Sequence, residues 1–178
     1  MYPFLLGNCM TRYYYKAKVY AEYGKLTIIG GTKKLERHLQ IPKLLIRRTG
    51  NYLCVTYSEE QALVESTIYM LTSDSINLKF LLGILNSKMM TFYLQQKLMT
   101  NAQGFPQILM GQLDQLPIIK QSKSTEKSEQ KIVHLVDKIL LQKTTNKPDT
   151  SALESEIDAL VYALYGLTSA EIAVIEGA

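Results

Sequence analysis

Cysteine is scarce in this chain: Cys9 and Cys54 are the only two, and they form no CxxC motif. That usage fits a reducing compartment, so the expectation is a cytoplasmic protein. Histidine is equally rare. His38 and His134 have no ligand-type partner at short spacing, which argues against a metal site and leaves both as structural or solvated residues. Every apolar run is broken by polar or charged groups well short of the ~20 residues that cross a bilayer, so no membrane span is expected. The opening residues, Met1 to Leu6, have neither the basic start nor the small-residue cleavage site of a signal peptide.

Catalytic signatures are missing as well. There is no GxSxG, P-loop, GxGxxG or HExxH. Asp74 and Asp114 lie in unrelated contexts. Glu154, Glu156 and Asp158 fall on an amphipathic helix, where carboxylates read as a solvated face. Neither the Asn-Pro-Pro-Tyr/Phe motif of amino-methyltransferases nor a Pro-Asp…Asp/Glu-x-Lys nuclease cluster occurs. With no constellation for chemistry, the chain is expected to be non-catalytic, with no cofactor or metal of its own.

What is present is 178 residues of ordinary globular composition, enough for one medium domain with a real core or a domain with a helical appendage. Charge is uneven along the chain. Residues 1–119 carry 13 Lys/Arg against 7 Asp/Glu, whereas residues 120–178 carry 7 against 9. The positive excess of the first part suits a polyanion, although surpluses of this size also occur in proteins that touch no nucleic acid.

The chain opens on apolar residues and a turn at Gly7-Asn8, with no polar lead-in, as an excised fragment would. Thr11 to Tyr20 is rich in aromatic and β-branched residues and predicts a strand. Alternation would put Arg12, Tyr14 and Lys16 on one face and Tyr13 and Tyr15 on the other. Cations interleaved with rings suit nucleic acid. Tyrosines packing a sheet face with their hydroxyls at its rim explain the same pattern. Leu26 to Ile29 predicts a short strand, and Thr32 a cap for a helix from Lys33 to Leu39 that Pro42 ends.

The apolar segment Leu44 to Ile46 runs straight into Arg47, Arg48 and a turn at Gly50-Asn51, and Tyr52 to Tyr57 returns as the second strand of a hairpin. A buried strand that delivers two guanidinium groups to its end is a device for meeting an anion or a base edge. The competing reading pairs them with Glu59 and Glu60, or leaves them solvated. Arg47 and Arg48 fall on opposite strand faces, so one of the two is expected to read a base. Ser58 to Gln61 has the capping-box pattern for a single helical turn, and Ser66 to Leu71 predicts another strand.

Asn77 to Lys97 predicts one long helix, with Leu78, Leu81, Leu82, Leu85, Met89 and Phe92 as its buried stripe. The polar stretch that follows is dotted with amides, Asn101, Gln103, Gln107 and Gln112. Amides can pair with adenine in the major groove, and ordinary loops contain them too. After a polar linker from Gln121, a helix over 126–143 carries Ile132, Leu135, Val136, Ile139 and Leu140 on one side. Pro148 breaks it. Ser151 to Glu154 reads as a capping box opening a second helix with the stripe Leu153, Ile157, Leu160, Val161 and Leu164. Gly166 ends that helix, and Thr168 to Glu171 caps a short last one. The two long helices predict an antiparallel hairpin.

The order of segments is more telling than any one of them. Pro3-Phe-Leu-Leu-Gly7, Arg12-Tyr-Tyr-Tyr15, Pro42-Lys-Leu-Leu-Ile-Arg-Arg-Thr-Gly50 and Leu85-Asn-Ser-Lys88 are followed by Gln115-Leu-Pro-Ile118. Last comes Ile157-Asp-x-Leu-Val-Tyr-x-Leu-Tyr-Gly-Leu-Thr168. Together they resemble the C-terminal specificity domain of TaqI-like and type IIG restriction–modification enzymes, which is related to the target-recognition domains of type I specificity subunits. The resemblance implies an α+β fold: a mixed-sheet target-recognition domain with a packed long helix over residues 1–119, then a helical hairpin over 120–178. That helical part would pack on the recognition domain or on a methyltransferase core. It further implies that adenine N6 methylation from S-adenosylmethionine, and any cleavage, belong to another domain in the same or a partner chain. Residues 17–40 and 101–111 carry no family signature, so the target sequence is not legible.

The leading expectation is therefore sequence-specific binding of double-stranded DNA. Arg12, Lys16 and Lys18 would hold phosphates, and Tyr13 or Tyr14 would pack on the backbone. Arg47, Arg48 and Thr49, with Asn101 and Gln103, would reach base edges. Lys88 and Lys97, placed near the C-terminal end of the long helix, would serve DNA or the helix dipole. The alternative is a protein-interaction module that uses the C-terminal helical hairpin.

Overall fold

A computed structural model describes residues 1–24, 32–99, 106–145 and 149–177. Its central sheet is built on β5 (Lys43–Arg47), with β6 (Val55–Ser58) and β8 (Ile68–Leu71) antiparallel on either side. An unbroken apolar run needs cover on both faces. Leu44 and Ile46 belong to the main core, whereas Leu45 faces a smaller one with Leu5, Met10, Ala62, Val64 and Ile68. The expected hairpin is present, with Ile46 opposite Val55 and Lys43 opposite Ser58, although its return strand starts at Val55 rather than Tyr52. Ser58 to Gln61 forms no helical turn. Ser58 ends β6, and its hydroxyl accepts from the Glu60 N–H at 3.2 Å.

A second, mixed sheet places β1 (Tyr2–Leu5) between antiparallel β4 (Val19–Ala21) and parallel β7 (Leu63–Val64). The single strand expected over Thr11 to Tyr20 is not formed. Met10–Thr11 (β2) and Tyr14–Tyr15 (β3) make a tight hairpin that turns at Arg12 and Tyr13. Tyr13 has φ 63°, a left-handed conformation uncommon for a bulky residue, so the two-residue alternation cannot run through it. The strand expected at Leu26 to Ile29 lies outside the described residues.

α1 (Leu35–Leu39) starts without a side-chain cap; Thr32 instead offers its carbonyl to His38 Nε2 at 2.7 Å. His38 Nδ1 accepts from the Val64 N–H at 3.0 Å, which fixes the ring as the Nε2-protonated tautomer and makes this histidine structural. The long helix expected over 77–97 is interrupted. Asn77 caps α2 (Leu78–Asn86) by accepting from the N–H groups of Lys79 and Phe80. Ser87 then goes extended, α3 (Lys88–Tyr93) begins, and the chain widens into a π-helical turn over Leu94–Leu98.

A short helix, α4 (Met110–Leu113), leads to α5 (Glu126–Lys143), whose bounds match the sequence pattern. In α6 (Ser151–Leu164) Ser151 is the first helical residue rather than the cap. Asp149 accepts from its N–H at 3.0 Å, and Thr150 turns its hydroxyl to Glu154 at 2.6 Å. Gly166, at φ 66°, ends α6, and Thr168 with Glu171 forms the expected capping box of α7 (Ser169–Glu176).

α5 and α6 pack on α2 at Gly83, where a Cβ would stand 2.5 Å from Ile132 Cγ2 and 3.6 Å from Ile157 Cγ2. Only hydrogen fits there. Ile132, Val136, Ile139, Ile157 and Val161 therefore join Phe80, Leu82 and Ile84 in one continuous core, each buried large side chain stabilising the fold by ~1.5–3 kcal/mol before entropy is counted. The result is an α+β fold with a C-terminal helical part.

Candidate nucleic-acid interface

The turn between β2 and β3 and the end of β5 converge on one ring. Arg12 stands over Tyr52 with its guanidinium carbon 5.1 Å from the ring centroid; Arg47 stands over the same ring at 5.4 Å. Arg12 Nε donates to the Leu53 carbonyl at 3.1 Å and its terminal nitrogen to Thr91 Oγ1 at 3.0 Å. Arg47 Nε donates to the Thr49 carbonyl, and a terminal nitrogen to the Tyr52 hydroxyl, both at 3.0 Å. Tyr52 itself stays 37% exposed. Arg48 lies on the other strand face. It donates to the Ser66 carbonyl at 2.8 Å and stands 5.1 Å from the Tyr69 centroid, while its Nε is buried without a partner.

These three guanidinium groups are held by carbonyls, hydroxyls and rings. Among the described residues none of them is in an ion pair with a carboxylate. Glu59 and Glu60 are engaged elsewhere, by the Tyr57 hydroxyl at 2.8 Å and the Tyr15 hydroxyl at 3.2 Å, at the opposite end of the β5–β6 hairpin. The pairing of Arg47 and Arg48 with these glutamates is thus not what the structure contains. Neutral partners orient a guanidinium without cancelling its charge, which leaves it available to an anion or a base edge.

The stretch after β5 is tied to the chain on either side of residues 100–105. The Arg48 carbonyl accepts from the Ile108 N–H at 2.7 Å, Thr49 bridges Gln107, and the Gly50 N–H donates to the Pro106 carbonyl at 2.9 Å. Gly50 sits at φ 123°, a conformation that favours glycine. Gln95 donates to the Asn51 carbonyl at 2.9 Å, and Gln112 to the Leu98 carbonyl at 2.7 Å. Asn101 and Gln103 lie outside the described residues; exposed Gln107 is the amide beside Thr49.

The residues expected from the first stretch do not stay together. Arg12 joins Arg47, but Lys16 lines a groove with Tyr14, Tyr15, Tyr57, Glu59 and Glu60, and Lys18 is exposed just ahead of β4. Tyr13 is 3% exposed and packs in the main core, where burial drives its phenol pKa well above the ordinary value. A ring so enclosed has no free face for a sugar or base. Burial also pushes the Cys54 thiol up, against the opposing pull of Arg47 and Arg12. It is a buried, protonated core residue.

Lys88 corrects an expectation as well. The break at Ser87 puts it at the N-terminal start of α3, not near a helix C-terminus, and its ammonium pairs with Glu176. Lys97 is exposed in the last turn of the π-helical segment. Asp158, read from the sequence as solvated, is 6% exposed and accepts from the Lys88 N–H at 2.8 Å. Burial raises its carboxyl pKa despite that bond.

Sequence reasoning missed Tyr52, Thr91 and Gln95. Only Tyr52 carried a signal, as the aromatic residue next to the Gly50-Asn51 turn; the other two are brought in by the helix break. Among the described residues no group of His, Cys, Asp and Glu is placed to hold a metal, and no helix is long and apolar enough to cross a membrane. A family model described as the TaqI-like C-terminal specificity domain matches residues 2–118. Among curated proteins, none matches this chain.

Proposed function

The chain belongs to the TaqI-like C-terminal specificity domain family, whose role is DNA recognition in restriction–modification enzymes, and from that premise we propose that it reads a short sequence on double-stranded DNA without doing chemistry itself. The observation that carries this reading is the Arg12–Tyr52–Arg47 cluster: two pre-oriented guanidinium groups, neither of them in an ion pair among the described residues, beside an exposed ring. One of Arg47 and Arg48, which point to opposite strand faces, would reach a base edge together with Thr49, Asn101 and Gln103. Arg12 would hold a phosphate.

Adenine N6 methylation from S-adenosylmethionine, and any cleavage, would be carried out by a methyltransferase or nuclease domain in the same or a partner chain. That domain would grip the remaining side of the duplex. Exposed Leu141 and Val174 favour the second reading, a protein-interaction surface on the C-terminal helices. The main apolar stripes of α5 and α6 are already spent on α2 at Gly83, which leaves that reading the weaker one.

Salt dependence separates the two. DNA recognition requires binding to duplexes whose affinity falls steeply and log-linearly as salt rises. A protein-interaction module with an incidental basic face would bind no duplex above the level of an unrelated protein of equal net charge. Because a methyltransferase domain in the same or a partner chain would add to affinity, the measurement is made on this chain alone and together with that domain.

A further inference from the structure

The helices that follow the family match reach back into the recognition site. The break at Ser87 exposes the first turn of α3, whose N–H groups need partners. Ser87 Oγ accepts from the Met90 N–H at 3.2 Å, and the Lys88 N–H is taken by Asp158 of α6 at 2.8 Å, seventy positions away in sequence. Glu176 of α7 pairs with the Lys88 ammonium and accepts from the Tyr162 hydroxyl at 2.8 Å. Both carboxylates therefore act on the one residue that starts α3.

α3 and its π-helical extension carry the groups that hold the reading surface. Thr91 receives Arg12, Gln95 holds the Asn51 carbonyl, and Leu98 is tied to Gln112. All three lie within eleven residues of Lys88. We propose that Asp158 is a positioning residue for DNA recognition: it fixes the start of α3, and through Thr91 and Gln95 it sets where Arg12 and the Gly50–Tyr52 turn stand. Residues 120–178 are on this view a working part of the specificity element, not an appendage. The idea rests on the DNA-reading function above, but the geometry it asserts is measurable without DNA.

Asp158→Asn keeps an oxygen for the Lys88 N–H; Asp158→Ala does not. In the 178-residue chain, NMR of the Arg12 Nε–H and the Gln95 side-chain amide reports the geometry directly. Sequence preference among duplexes reports its use. Asp158→Ala is expected to shift both resonances and to lower the ratio of specific to non-specific affinity by about tenfold, the size of one displaced base contact. Asp158→Asn should restore wild-type behaviour. A merely structural role would lower thermal stability and leave the resonances and the ratio of the folded protein alone, which overturns the proposal.

Should Asp158→Ala fail to fold, Glu176→Ala at the exposed end of the same linkage takes its place, with a smaller shift in the same direction expected. No change in either resonance overturns the proposal there as well. If the resonances move but the wild-type chain shows no sequence preference, the DNA-reading function fails while the coupling stands.

Discussion

Asn86 binds the backbone of Val55 twice, its Oδ1 accepting from the Val55 N–H at 3.0 Å and its Nδ2 donating to the Val55 carbonyl at 2.9 Å. The last residue of α2 thus acts as a surrogate strand partner at the first residue of β6. The Tyr13 N–H adds a second bond to the same carbonyl at 3.0 Å, so the β2–β3 hairpin docks at this point too. In Asn86→Ala the buried Val55 N–H loses its partner, at about 1–3 kcal/mol, while the Val55 carbonyl keeps the Tyr13 N–H. Asn86→Asp keeps an acceptor but faces a carbonyl with no donor. Both variants should lower the denaturant midpoint, with an unchanged slope if the native state is otherwise preserved.

Gly83 is where the C-terminal helices approach α2 most closely. Gly83→Ala gains ~1 kcal/mol of helix propensity, but the new methyl would meet Ile132 Cγ2 at 2.5 Å. Overpacking of that kind costs about 1–3 kcal/mol, so net destabilisation is expected. Ile132→Ala makes room, and the double variant should be less destabilised than the sum of the two singles. Additive effects would mean that the helices do not meet at this residue.

That pair also shows why part of the fold was legible and part was not. The stripe on α5 and the capping box of α7 are local patterns, and they were read nearly to the residue. The break at Ser87 was invisible because Leu85, Met89 and Phe92 keep helical spacing across it. What ends α2 is a serine whose hydroxyl and N–H both turn to the Ile84 carbonyl, at 2.7 and 3.2 Å, and what restarts the helix is a carboxylate on α6. Tyr13 failed for the opposite reason: strand propensity over Thr11 to Tyr20 was real, but one left-handed residue folded the stretch on itself. In the site, Arg47 was legible as a charge at a strand end. Tyr52 as the ring shared by two arginines needed the tertiary structure.

Lys43 gives a pH test. It is buried, donates to the carbonyls of His38 and Glu60, and burial lowers its pKa from 10.5 to about 8. The native state therefore sheds this proton earlier than the unfolded chain. The charged form is penalised below about pH 8, and stability from this site rises as pH climbs toward the ordinary lysine value, by ~1.4 kcal/mol per pH unit within the window. Tyrosines with raised pKa values, Tyr57 at about 12 among them, oppose the rise above their own ordinary range. The clean measurement is thus the stability difference between wild type and Lys43→Met from pH 7.5 to 10. It should move in favour of wild type as pH increases.

Arg12 and Lys16 were expected to act alike and are placed differently. Arg12→Ala should reduce the salt slope of duplex binding by about one phosphate contact and weaken all sequences similarly. Lys16→Ala, which removes a cation from a groove already holding Glu59 and Glu60, should leave that slope near wild type.

The most direct measurement of the DNA-reading surface is selection from a pool of random duplexes by wild type, Arg47→Ala and Arg48→Ala, each confirmed to be folded. One variant is expected to lose discrimination at a single position, at a cost of ~1–3 kcal/mol against the preferred base, with the other positions retained. If both variants select the wild-type sequence with undiminished preference, neither arginine reads a base, and the surface around Tyr52 is not where the target is recognised.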